Sequence, residues 1–186
     1  MTGRFKKQWE DYFEGGISVW SQFGYEYHSN LIVKHILPII GIPKTGKIVQ
    51  VGTGLGIATE TLCHIFGYDR VIGYDLFNPL QHPNISFLDT YKSVPPETDI
   101  AYLEIDIGSM SAARANRKLL LEWALTQVKE GGYILTNRKL ALELEENSIK
   151  NFDIIGLNQF DIPELWSNVH KTRLNTKVLL KVTGTK

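Results

Sequence analysis

The chain has one cysteine, two methionines and no net charge. A single thiol, Cys63, excludes an intrachain disulfide framework; its place among Leu62, Ile65 and Phe66 makes it a small core residue and points to a reducing, cytoplasmic setting. Basic and acidic residues number 20 each, so there is no overall basic field to gather a polyanion, and no nucleic-acid partner is expected. The short basic clusters at Arg4 to Lys7 and Arg114 to Lys118 read as solvated helix faces. No apolar run approaches the roughly 18–20 residues that span a bilayer, and the N-terminus lacks the compact apolar core of a secretory signal, so no membrane partner is expected. The five histidines show no H-x-x-x-H spacing and no Cys-x-x-Cys pair exists, which leaves no zinc signature.

What is present is a chain of 186 residues with 43% hydrophobic content, long enough to bury a core and most simply organised as one domain over residues 1–186. Its most informative stretch is 48–56, Ile-Val-Gln-Val-Gly-Thr-Gly-Leu-Gly. An apolar, β-branched run suits a buried parallel strand, and glycines at its C-terminal end let the backbone turn and approach a ligand that a Cβ would push away. A dinucleotide fingerprint would need glycine at position 57, which is Ile57. A helix over 57–66 follows, then a second strand at Val71 to Asp75 ending in a carboxylate 19 positions after Gly56. An acid so placed can accept from both hydroxyls of a nucleoside ribose; otherwise it is a solvated loop aspartate.

The spacing Gly52-x-Gly54-x-Gly56 resembles the first motif of class I S-adenosylmethionine-dependent methyltransferases, and the resemblance extends over residues 47–136 in the family's order. It implies an α/β fold with a doubly wound, mostly parallel seven-stranded sheet and an antiparallel last strand. It further implies S-adenosylmethionine as cofactor, held by Gln50, Gly52, Thr53, Gly54, Gly56, Asp75, Leu76, Asp89, Thr90 and Glu104. Asp89 and Thr90, after a third strand at 85–88, stand where the family often binds the adenine amino group. A fourth strand at 100–105 ends at Asp106, the candidate catalytic base; Glu104, on the same strand face, is a candidate cofactor contact. Gly131 and Gly132 resemble the family's paired glycines that close a helix and open the fifth strand.

Two departures stand out. The family usually has an acid two residues before the first loop glycine, where a carboxylate helps to receive the ligand's amino group; here Gln50 supplies an amide without charge. No Asn-Pro-Pro-Tyr-like segment follows the fourth strand, which argues against amino methylation of DNA bases. The stretch 100–106 also resembles metal-dependent O-methyltransferases, but the fifth strand ends Thr136-Asn137-Arg138 without the usual aspartate pair, so no metal is expected.

Outside the core, the first 27 residues hold eight of the aromatics, and Phe5, Trp9, Tyr12 and Phe13 share one helical face. This segment reads as sheet packing, as a lid over cofactor and acceptor, or as the contact of a homodimer. It belongs to a helical N-terminal cap over 1–46, ahead of a core over 47–186. A second helix is expected over 26–40, with Ser29 near its cap or facing the ligand's amino-acid end. A long helix is expected from Ser109 or Ser111 to Gln127 and a short one over 139–146, with strands over 152–157 and 176–182. The activity implied is methyl transfer to a small-molecule acceptor. The alternatives are transfer of an aminopropyl or aminocarboxypropyl group from the same ligand, and a non-catalytic interaction role.

Overall fold

The computed structural model describes residues 29–76, 78, 80–89, 92–105, 119–120, 122–147, 150–162 and 176–185. The aromatic segment, Thr90, Asp106 and residues 163–175 lie outside the described residues.

Seven strands form one sheet: β1 (Lys47–Val51), β2 (Val71–Asp75), β3 (Ile85–Phe87), β4 (Ile100–Ile105), β5 (Val128–Asn137), β6 (Lys150–Gly156) and β7 (Lys177–Thr185). Their order is β3-β2-β1-β4-β5-β7-β6. β7 runs antiparallel to both of its neighbours, and every other adjacent pair is parallel. The central strands are apolar because both faces are covered: all six residues of β4 are buried.

Helices cover each face. On one side lie α1, described over 29–35, and α2 (Ile57–Phe66), whose Ile32, Val33, Ala58 and Leu62 pack with Ile48, Tyr102, Leu135 and Leu179. On the other lie α3, described from 119 to 127 except for 121, and α4 (Arg138–Asn147). Their Leu120, Trp123, Leu140 and Ala141 pack with Val49, Leu103, Ile134 and Leu180. Alternation along β1 and β4 sends Ile48 and Tyr102 to the first face and Val49 and Leu103 to the second. The fold is the doubly wound α/β sheet with one antiparallel strand that the resemblance implies.

Two expectations need correction. α1 ends at residue 35 rather than 40, and a turn follows through Gly41. Pro38 has no N–H to continue the helix and disfavours helical backbone at the residue before it, while Gly41 takes a φ of +73°. Gly131 and Gly132, expected to close a helix, lie inside β5. Ile100 pairs with Val128 and Tyr102 with Tyr133, so five residues of β5 pass where β4 advances two, and the excess bulges at Gly131, whose φ is +76°.

Candidate functional site

The C-terminal edges of β1, β2 and β4 bring the glycine loop, Asp75, Leu76 and Glu104 to one side of the sheet. After Val51 the chain turns through three left-handed glycines, with φ of +83° at Gly52, +56° at Gly54 and +86° at Gly56. Gly56 heads α2, its carbonyl accepting from Glu60 N–H at 3.0 Å. A Cβ on Gly56 would lie 2.7 Å from Ile85 Cδ1, the movable end of that side chain, so it is chiefly the left-handed backbone that favours glycine there. The loop is tied to β2 twice: Gly52 N–H donates to Tyr74 O at 2.8 Å, and Gly54 N–H to Asp75 Oδ2 at 2.8 Å.

Thr53 sits inside this loop, 1% exposed. Its hydroxyl is buried without a hydrogen-bond partner among the described residues, and its methyl occupies the space above Gly73. A side chain on Gly73 would stand 2.5 Å from Thr53 Cγ2 and 3.3 Å from Thr59 Oγ1. Gly73 is therefore part of the loop's support, a role signalled in the sequence only by a glycine in the middle of a strand. Asp89 follows β3 and opens a turn, its carbonyl accepting from Lys92 and Ser93 and its carboxylate lying 3.1 Å from Lys92 Nζ.

Gln50 points to the α1/α2 face and is buried; Thr59 Oγ1 donates to its Oε1 at 2.6 Å. Its register partner across β1 and β4 is Glu104, which is fully buried. Tyr102 Oη lies 3.5 Å from Glu104 Oε2, and Lys177 Nζ, from the start of β7, lies 4.0 Å from Oε1. The Lys177 ammonium also donates to Ser29 Oγ at 3.0 Å, while Asn30 Oδ1 accepts from Thr61 on α2 at 2.5 Å. Ser29 and Asn30 of α1 thus reach across to other elements. Sequence reasoning had no access to Lys177, because only the antiparallel insertion of β7 carries it to this edge.

A second polar cluster lies behind the loop. His82, from the β2–β3 connection, has a fully buried side chain and meets Glu60 of α2 at 3.0 Å. Asn84 N–H donates to His82 Nδ1 at 3.1 Å, so Nε2 carries the proton towards Glu60. Burial lowers the His82 pKa, partly offset by Glu60, and keeps the ring neutral. Glu60 also accepts from Tyr68 Oη at 2.9 Å. Asn78 staples the same connection through His82 O, Ile85 O and His82 N–H, fixing the floor on which Gly56 rests. Cys63, buried in α2, has its thiol pushed up to about 12, first by burial and then by Glu60, so it stays protonated and inert.

No protein-family model and no curated protein sequence matches this chain. Solved structures do. The methyltransferase bound to the Trm112 methyltransferase activator in a Haloferax volcanii complex superposes with a TM-score of 0.57 at 14% identity, over 99% of this chain and 98% of that one. A TehB-like S-adenosylmethionine-dependent methyltransferase from Corynebacterium glutamicum gives 0.52 at 14% identity, over 97% and 96%. A geranyl diphosphate methyltransferase, solved with S-adenosylmethionine, gives 0.53 at 11% identity, over 87% and 85%. The chain has the class I S-adenosylmethionine-dependent methyltransferase fold.

Proposed function

We propose that this chain is an S-adenosylmethionine-dependent methyltransferase acting on a small-molecule acceptor. The observation that carries the reading is the loop of three left-handed glycines at the end of β1, with Gly54 N–H held on the carboxylate that ends β2. Ligands of open α/β sheets bind at this edge, and neighbouring folds of known structure hold S-adenosylmethionine.

The residues present fit that cofactor. The left-handed turn through Gly52 and Gly54 lets a ligand approach the backbone closely, Asp75 offers a carboxylate to ribose hydroxyls, and Leu76 lies next to it for the adenosine. The orphaned Thr53 hydroxyl supplies a hydrogen-bonding group inside the same loop. Gln50 fixes the first turn of α2 against β1 through Thr59, and Asp89 with Thr90 is assigned to the adenine end. When bound, the cofactor supplies an electrophilic methyl group on a sulfonium.

Much of the rate of such an in-line displacement comes from holding the acceptor close and aligned. Asp106, next in sequence after the last residue of β4, is assigned as the base that takes the acceptor's proton. The absence of a net basic field supports a small acceptor over a nucleic acid. The aromatic segment over 1–27 and residues 158–173 are assigned to the acceptor pocket.

The test is thermal unfolding with S-adenosylmethionine and S-adenosylhomocysteine, with NAD and ATP as controls. Ligand at about 100 times its Kd adds about 2.7 kcal/mol of native-state stability, a shift of roughly 5–10 °C for a chain of this size. A shift with the two sulfur nucleosides alone supports the proposal. No shift at millimolar ligand removes it. Asp106→Asn should then lower turnover while leaving S-adenosylhomocysteine affinity unchanged.

A further inference from the structure

The charge that Gln50 lacks stands one strand away. Gln50 Oε1 already accepts from Thr59, and an amide brings no charge to an ammonium ligand. Its register partner Glu104 lies about 4.8 Å across the parallel pair and on the same face of the sheet. A carboxylate lost from β1 is thus present at the same level on β4.

Glu104 has an opposite charge beside it. Glu104 pairs with Leu135 and Leu135 with Leu179, which puts Lys177 two residues nearer the ligand edge of the sheet on β7. Its ammonium is positioned by Ser29 Oγ at 3.0 Å and stands 4.0 Å from Glu104 Oε1. That gap exceeds the roughly 2.7–2.9 Å of a charge-assisted hydrogen bond. The two side chains are 1% and 11% exposed, so both charges are largely desolvated for a loose pair. An opposite charge on a ligand would meet each of them at greater strength here than in water.

Two opposite charges held a few ångströms apart, at 1% and 11% exposure, match a ligand that carries two opposite charges at similar spacing. An α-amino acid is such a group, its ammonium and carboxylate branching from one carbon. We infer that Glu104 and Lys177 form a zwitterion clamp for the amino-acid end of the ligand, Glu104 taking the ammonium and Lys177 the carboxylate. The inference rests on the proposed S-adenosylmethionine reading and deepens it: acid and base on β4 and β7 replace the acid that the resembled family carries on β1. Ser29 is a positioning residue, acting through the Lys177 ammonium.

The test compares two thioether nucleosides, S-adenosylhomocysteine, which has the amino-acid end, and 5′-methylthioadenosine, which lacks it. Their affinities are measured by calorimetry for the full chain, Glu104→Gln and Lys177→Met, each checked for native circular dichroism. The clamp requires each variant to lose S-adenosylhomocysteine affinity by about 10- to 100-fold while 5′-methylthioadenosine stays within about twofold. Equal loss of both ligands in the variants overturns it, since that is the mark of a purely structural pair. Unchanged S-adenosylhomocysteine affinity overturns it as well and leaves the cofactor assignment standing. An unaltered chain that binds neither nucleoside overturns the cofactor assignment, and the clamp falls with it.

Discussion

The backbone N–H of Gly54 donates to Asp75 Oδ2 at 2.8 Å, so the carboxylate that ends β2 also fixes the shape of the loop that follows β1. Asp75 therefore orders the loop, and in the proposed reading it also receives the ligand. Replacing it with alanine removes the loop's anchor and a charged acceptor. S-adenosylhomocysteine affinity should fall by about 1.5–3 kcal/mol, measured by calorimetry. An Asp75→Ala variant that binds as tightly as the parent chain contradicts the assignment.

A side chain at Gly56 should cost stability. Alanine there must hold a φ of +86°, at a cost of about 1–2 kcal/mol, and its methyl would meet Ile85 Cδ1 at 2.7 Å. Urea unfolding of Gly56→Ala should show a loss of at least about 1 kcal/mol. Pairing it with Ile85→Val should relieve the contact and leave the backbone cost.

The close approach of Thr53 to Gly73 makes a coupled pair. Gly73→Ala should destabilise the chain by about 1–3 kcal/mol through overpacking against the Thr53 methyl. Thr53→Ser removes that methyl, so the double variant should recover part of the loss. Strict additivity in the double-mutant cycle would show that the two residues do not press on one another.

His82 links the fold to pH. Its folded pKa lies below the ordinary 6.5 because burial disfavours the imidazolium. The unfolded chain takes up this proton near pH 6.5 and the folded chain only at lower pH, so the unfolded state binds more protons in between. Its contribution to stability is thus complete above about pH 6.5 and is lost as pH falls below it, with a slope of at most about 1.4 kcal/mol per pH unit. Denaturant titrations between pH 7.5 and 5.5 should show this decline for the parent chain and a flatter profile for His82→Gln. Identical profiles would assign the dependence to other groups.

The parts of the fold legible in the sequence are those set by local pattern. β2 and β4 read as short apolar runs because strands buried on both faces admit little else, and α2 is bracketed by Gly56 and Gly67, so its limits at Ile57 and Phe66 follow from its punctuation. The glycine loop and Asp75 were legible for the same reason. Local pattern failed where one residue type serves two purposes. Gly131 and Gly132 signal a helix end as readily as the bulge they form in β5, and the apolar residues through Ile40 extend a helical pattern that Pro38 interrupts. Lys177 and His82 were illegible in principle: each meets its acidic partner through tertiary pairing, which no window of the sequence contains.

The position of β7 between β5 and β6 sets an order of assembly during synthesis. β6 leaves the ribosome first but among the described residues pairs with β7 alone, so it joins the sheet once Lys177 to Thr185 have followed it. Until then β5 keeps an open edge, a template for pairing with a second nascent chain. The strand that fills this slot also delivers Lys177. A chain therefore brings Lys177 beside Glu104 only at the step that closes its sheet, and a ligand that needs that group would select molecules whose folding is finished.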